Sequence, residues 1–148
     1  MADLSAKTEA FFARYGELMN EGIADGKADT TALAACFAPY FVGSSPQGVF
    51  GGEGGATLQQ MLGAGIENYR RIGGTAFIID DIEVIDVDPL HAMARVSWRF
   101  DYKRPRDGKI GSIRFANEYL VSFADEMPRI FAWVTPDEQA ALKEHDLV

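Results

Sequence analysis

The chain reads as an α+β domain with its helices gathered on one face of a sheet. Three observations lead there. The first half carries apolar residues at helical spacing. The second half carries β-branched and aromatic residues in alternation, cut by turn signals. The order is helices first and then strands, which is the α+β pattern.

The first helix rests on Phe11, Phe12, Tyr15, Leu18 and Met19, which share one helical face. Asp3 or Ser5 offers its cap, and Gly22 and Gly26 mark its exit. Asp29 offers a second cap, after which Leu33, Cys36, Phe37 and Tyr40 keep helical spacing. Pro39 disfavours helix at Ala38, so this second helix is expected to end there and Tyr40-Phe41-Val42 to leave extended. Residues 43–55 hold six glycines with Ser44, Ser45 and Pro46, and read as a loop. A third helix begins near Ala56, with Leu58, Met61, Leu62, Ile66, Tyr69 and Ile72 on its apolar face. Arg70 and Arg71 suit the negative end of its dipole, and Gly73-Gly74 stops it.

Thr75 to Val87 is a β-branched run, and Asp88-Pro89 turns it. His91 to Tyr102 follows, with Val96, Trp98, Phe100 and Tyr102 on one face and Ser97, Arg99 and Asp101 on the other. Arg106-Asp107-Gly108-Lys109 is the strongest hairpin signal. Ile110 to Phe123 forms the next strand, a turn at Asp125-Glu126-Met127-Pro128 follows, and Arg129 to Val134 closes the run. Two facings of that last strand fit: Ile130, Ala132 and Val134 inward, or Phe131 and Trp133 inward. Thr135-Pro136-Asp137-Glu138 reads as a capping box that starts a C-terminal helix through His145. Together these elements make a meander of antiparallel strands that curls around its helices and encloses a space.

Composition bounds the rest. A chain of 148 residues with 47% hydrophobic and 24% charged content is ordinary for one globular domain. Its net charge of -8 opposes nonspecific nucleic-acid binding and docking on anionic membranes. The stretch Met1 to Lys7 lacks a basic segment followed by an apolar run, and no run suits a membrane span. One cysteine, Cys36, rules out an intrachain disulfide and fits a reducing cytoplasm. Beside Phe37 it reads as a buried, inert thiol. His91 and His145 have no metal-ligand spacing, so no metal or cofactor is expected. The glycine-rich segment lacks the Gly-Lys-Ser/Thr ending of a phosphate loop and carries Glu53, so it is expected to be a mobile loop over a pocket entrance. Lys103, Arg104, Arg106 and Lys109 read as a solvated hairpin tip. Asp80 and Asp81 point to opposite faces unless a bulge intervenes.

The chemistry centres on Asn117, whose same-face neighbours are Phe115, Tyr119, Val121 and Phe123. An amide on that face must bond a neighbour or meet a ligand, because an unpaired buried amide costs about 1–3 kcal/mol. Trp98, Phe100, Phe115 and Tyr119, with Tyr40, are the expected aromatic lining, which favours flat apolar ligands. Tyr15 is a candidate donor to a developing oxyanion. The competing reading makes each of these aromatics plain core.

Phe12-Ala13-Arg14-Tyr15 through Asn20, Phe37-Ala38, Gly48-Val49-Phe50-Gly51, Val96-Ser97-Trp98 and Asn117-Glu118-Tyr119 together resemble the nuclear transport factor 2-like superfamily. Its SnoaL-like polyketide cyclases and ketosteroid isomerases are the branch in view. The resemblance covers nearly the whole chain. It implies a cone of curved antiparallel sheet closed by three N-terminal helices, with a short C-terminal helix, an apolar pocket and frequent dimerisation. Ketosteroid isomerases use a carboxylate base with a tyrosine and a protonated aspartate as oxyanion hole. By resemblance the tyrosine falls on Tyr15, the base on Ser45 and the acid on Asn117. A serine cannot act as that base, so the steroid-isomerase route is not expected. Three functions remain open. One is a binder of a small hydrophobic molecule bearing a carbonyl or hydroxyl group. The second is an isomerase, cyclase or lyase that uses Tyr15 and Asn117 to polarise an oxygen. The third is a homodimeric interaction module.

Overall fold

The computed structural model describes residues 3–148; Met1 and Ala2, where the stretch read for a signal begins, lie outside the described residues. Helix α1 spans Leu4–Asp25 and α2 spans Thr30–Ala34. Strands β1 (Phe37–Ser45) and β2 (Gly48–Glu53) follow, then α3 (Ala56–Arg71). Strands β3 (Gly74–Asp88), β4 (His91–Lys103), β5 (Ile110–Ser122) and β6 (Arg129–Val134) precede α4 (Glu138–Glu144). The six strands form one curved, unclosed sheet in the order β2-β1-β6-β5-β4-β3. Neighbours pair antiparallel except β1 and β6, which run parallel. The meander therefore holds from β3 to β6, and the first hairpin joins it through that parallel contact.

Local chemistry accounts for the helix ends. The Asp3 carboxylate accepts from Ser5 N at 3.0 Å and starts α1. Gly26 ends it at φ 73°, where a side chain would be strained. Asp29 accepts from Ala32 N at 3.0 Å and starts α2. Phe12 and Leu18 of α1 are 0% and 2% exposed, and such burial contributes about 1.5–3 kcal/mol for each side chain. Asn20 of α1 donates to Phe77 O at 2.8 Å and accepts from Phe77 N at 2.7 Å. Because β3 is an edge strand, this amide takes the place of a neighbouring strand at Phe77. On β4, Ala92, Ala94, Val96, Trp98, Phe100 and Tyr102 are all buried, which is the alternation its sequence shows. No helix among the described residues is long and apolar enough to cross a membrane.

Four expectations are corrected, and the bulge allowed for at Asp80-Asp81 is present. The second helix stops at Ala34, and Cys36, Phe37 and Tyr40 do not share a helix face with Leu33. Pro39 lacks an N–H, and the extended chain it imposes begins at Phe37. Residues 43–55 are mostly not loop, because β1 and β2 pair from Tyr40↔Glu53 to Ser45↔Gly48. That hairpin packs Phe50 on Trp133, with ring centres 5.7 Å apart. Asp137, not Thr135, caps α4, accepting from Ala140 N at 3.0 Å. A bulge sets Asp80 outside the pairing of Ile79↔Trp98 and Asp81↔Ser97. Asp80 consequently lies 3.6 Å from Arg99 and 3.4 Å from Arg114 on the outer face, beside the outward Asp81. Lastly, Arg104 is not a solvated tip residue. It is buried, binds Asp107 Oδ1 at 2.9 Å and donates to His145 O at 3.3 Å.

The last strand adopts both facings at once. Val121 pairs with Ile130, but Leu120 pairs with Ala132 and Tyr119 with Trp133, so Phe131 is an extra residue. Ile130 is fully buried, and Trp133 packs on Phe37 and Phe41 at 5.3 and 5.5 Å.

Candidate functional site

A cavity of about 530 Å³ lies between α1, α3, α4 and the inner face of β3, β4 and β5. Tyr15 of α1, Trp98 and Phe100 of β4, and Phe115, Asn117 and Tyr119 of β5 all line it. Tyr40 is not among the lining residues. Phe37, Phe41 and Gly43 of β1 are the buried residues, and Tyr40 is 70% exposed. Ser45 lies at the β1–β2 turn, where its hydroxyl donates to Gln47 Oε1 at 3.0 Å, and it does not line the cavity.

The inner wall holds a short polar chain. Trp98 Nε1 donates to the Tyr119 hydroxyl at 3.1 Å, and Asn117 Nδ2 donates to the same oxygen at 3.0 Å. Asn117 Oδ1 is buried without a partner. Register explains the grouping, since Trp98 faces Phe115, Val96 faces Asn117 and Ala94 faces Tyr119 across β4 and β5. Burial raises the Tyr119 hydroxyl pKa, while the bonds from Asn117 and Trp98 oppose that shift. Burial also holds the Tyr15 hydroxyl well above its ordinary value, with Tyr119 and Cys36 adding to the effect. The Tyr15 ring meets Phe37, Trp98 and Phe12 edge-on at 6.1–6.4 Å. Both phenols therefore stay protonated at neutral pH and act as hydrogen-bonding groups, not as bases.

The mouth adds residues that pattern reading did not assign to a site. Tyr69 of α3 donates to the Glu138 carboxylate of α4, and both line the cavity with Pro136, Asp137 and Leu142. Burial raises the Tyr69 hydroxyl pKa first and Glu138 second. In the sequence Tyr69 is one apolar-face residue among six and Glu138 a capping residue. Nothing local signals that α4 returns across the mouth. Phe77 of β3 completes the wall, its ring 5.0 Å from Tyr69 and 6.0 Å from Trp98. At the rim, Arg95 pairs with Glu118 at 3.1 Å and Arg114 with Asp80 at 3.4 Å.

The surroundings are those of a binding pocket: aromatic walls, a few convergent polar groups and a partly open volume in the range of small-molecule sites. Asn117 supplies an unmet hydrogen-bonding capacity inside it, and Glu138 and Asp137 supply carboxylates at its edge.

Solved structures share this architecture. An NTF2-like protein with a cystatin-like fold from Novosphingobium aromaticivorans is 19% identical, with a TM-score of 0.68 over 100% of this chain and 98% of that one. A ketosteroid isomerase-like protein from Erwinia carotovora atroseptica is 16% identical, with a TM-score of 0.62 over 88% and 93%. The beta subunit of the benzoate 1,2-dioxygenase from Burkholderia mallei is 18% identical, with a TM-score of 0.66 over 96% and 95%. At these identities the likeness is one of fold. No curated protein matches the chain significantly. The family model described as NTF2-like protein (DUF6841) matches residues 5–138, and the chain belongs to that family.

Proposed function

We propose that the protein binds a small, largely apolar molecule carrying a hydroxyl or carbonyl oxygen in the cavity behind Asn117. The observation that carries this reading is the buried, unpartnered Asn117 Oδ1 in an aromatic wall. A ligand hydroxyl donating to that oxygen removes the cost of leaving it unpaired. The Tyr119 hydroxyl has one proton and two lone pairs. It accepts from both Trp98 and Asn117, which leaves its own proton to find another acceptor. A half-turn of the Asn117 amide lets Tyr119 donate to Oδ1 and presents Nδ2 to the ligand instead. A hydroxyl group suits both arrangements, and a carbonyl suits the second.

The test is a thermal-shift panel of flat apolar alcohols, phenols and ketones. Ligands are expected to raise the melting temperature of the wild type and to do so less in Asn117→Leu. A broad panel without any shift would sink the reading. An isomerase, cyclase or lyase would use Tyr15 and Asn117 to polarise the same oxygen, with Glu138 as the lining carboxylate to move a proton, since Asp137 is engaged as the cap of α4.

The second reading is a homodimer formed through the outer sheet face. An apolar row crosses five strands in register: Ile85, Met93, Leu120, Ala132 and Val42. Ile85 and Val42 are 60% and 48% exposed, and Val134 beside them is 55% exposed. A row of Glu83, Arg95 and Glu118 flanks it, so two copies related by a two-fold axis can bury the apolar row and exchange charge pairs. Arg99 and Asp101, the other candidates for this contact, bond each other at 2.8 Å. Sedimentation at micromolar concentration is expected to give a dimer that Leu120→Lys dissociates. A wild-type monomer would remove this reading.

A further inference from the structure

We propose that Tyr69 and Glu138 form a second polar subsite at the cavity mouth, so that the pocket selects an elongated, uncharged aromatic molecule with a hydroxyl group at each end. The inference rests on the binding reading given above and extends it to the far end of the ligand.

The two polar ends are built by different elements and share one cavity. The inner end is the Trp98–Tyr119–Asn117 chain on β4 and β5. The mouth is the Tyr69 hydroxyl on α3 with the Glu138 carboxylate on α4. Phe77 stands between them, within 5.0 Å of Tyr69 and 6.0 Å of Trp98 by ring centre. Phe77 thus packs on a ring at each end, and a ligand that reaches both ends passes along it.

Glu138 sets the chemistry of the outer group. An ionised carboxylate only accepts hydrogen bonds and offers about four lone-pair sites across its two oxygens. Tyr69 occupies one of them, which leaves acceptor capacity at the cavity mouth. A ligand hydroxyl can donate there, or take the place of the Tyr69 proton and leave that phenol to donate in turn. A carbonyl or ether has no proton to give, and a ligand carboxylate or phosphate meets like charge. Among oxygen groups, an alcohol or phenol is the one that fits. Tyr69 is also positioned to hold the carboxylate in one orientation, because its own proton is retained by burial.

The test uses two matched pairs of probes that differ in length and in the outer hydroxyl alone. These are para-phenylphenol with para,para′-biphenol, and trans-para-hydroxystilbene with its para,para′ diol. Titration calorimetry on the wild type is expected to give at least one diol that binds about tenfold tighter than its mono-ol, the scale of one hydrogen bond to a charged group. Glu138→Ala should erase that advantage, so that diol and mono-ol of a pair bind the variant equally. Tyr69→Phe frees the carboxylate and should keep the advantage. Diols that bind no tighter than mono-ols overturn the inference, as does an advantage that survives in Glu138→Ala. If none of the four compounds binds the wild type, the pocket reading itself falls and takes this inference with it, an outcome distinct from equal binding by each pair.

Discussion

Asn117 and Tyr119 stand two residues apart on β5, and the amide of the first donates to the hydroxyl of the second at 3.0 Å. Trp98 donates to the same oxygen from the neighbouring strand at 3.1 Å. One buried phenol thus satisfies two donors. Tyr119→Phe removes the shared acceptor and should destabilise the protein by about 1–3 kcal/mol for each donor left unpaired. In the Asn117→Leu background, where one donor is already gone, the same change should cost less. Urea unfolding of the two single variants and the double variant measures the coupling, and additive costs would contradict a shared acceptor.

Asn20 bonds both backbone groups of Phe77, at 2.8 and 2.7 Å. Asn20→Ala leaves an N–H and a carbonyl of an edge strand without partners and should cost about 2 kcal/mol or more. Asn20→Asp keeps the acceptor and loses the donor, so an intermediate loss is expected. Hydrogen exchange at the Phe77 amide should speed up in Asn20→Ala. Unchanged protection would show that the side chain is not what shields that edge.

Gly43 lies under Trp133. A Cβ at this position would sit 2.6 Å from Trp133 Cε2, closer than carbon atoms pack. Gly43→Ala should force the indole off Phe37 and Phe41 and cost about 1–3 kcal/mol. A blue-to-red change in tryptophan emission should accompany the loss. A variant as stable as the wild type would mean that the hairpin shifts freely.

Burial pushes the Cys36 thiol up to about 11 from an ordinary 9.0. Between those values the unfolded chain has lost a proton that the folded chain keeps. The unfolded state then binds fewer protons, and stability falls as pH rises through that window. Cys36→Ala should flatten the decline there. Tyr15, Tyr69 and Tyr119, also raised by burial, should maintain a slope at higher pH. Urea midpoints across this alkaline range test the claim, and a profile identical in wild type and variant would refute the assignment to Cys36.

The parts legible in the sequence are those with local causes. The β4 alternation, the Arg106–Lys109 hairpin with Gly108 at φ 72°, and the capped ends of α1 each follow from a few adjacent residues. The inner wall was legible for the same reason, because Phe115, Asn117 and Tyr119 share a face by period alone. The failures come where distant partners decide. Cys36 and Phe37 have a helical period, yet Ile130 N bonds Cys36 O at 2.7 Å and draws that segment into the sheet. Glu138 reaches the cavity because His145 meets Tyr102 at 3.1 Å and Arg104 holds its carbonyl, ties that no local pattern announces.

The extra residue at Phe131 divides β6 into two half-strands of opposite phase. Ile130 serves the core with Val121, and Trp133 serves the aromatic cluster under the first hairpin. Length at this point is therefore as constrained as identity. Deleting Phe131 would rotate Trp133 toward solvent or pull Ile130 out of the core, whichever half kept its register. A conservative change of side chain at Phe131 alters neither phase, so the strand should tolerate substitution there far better than a change of one residue in length.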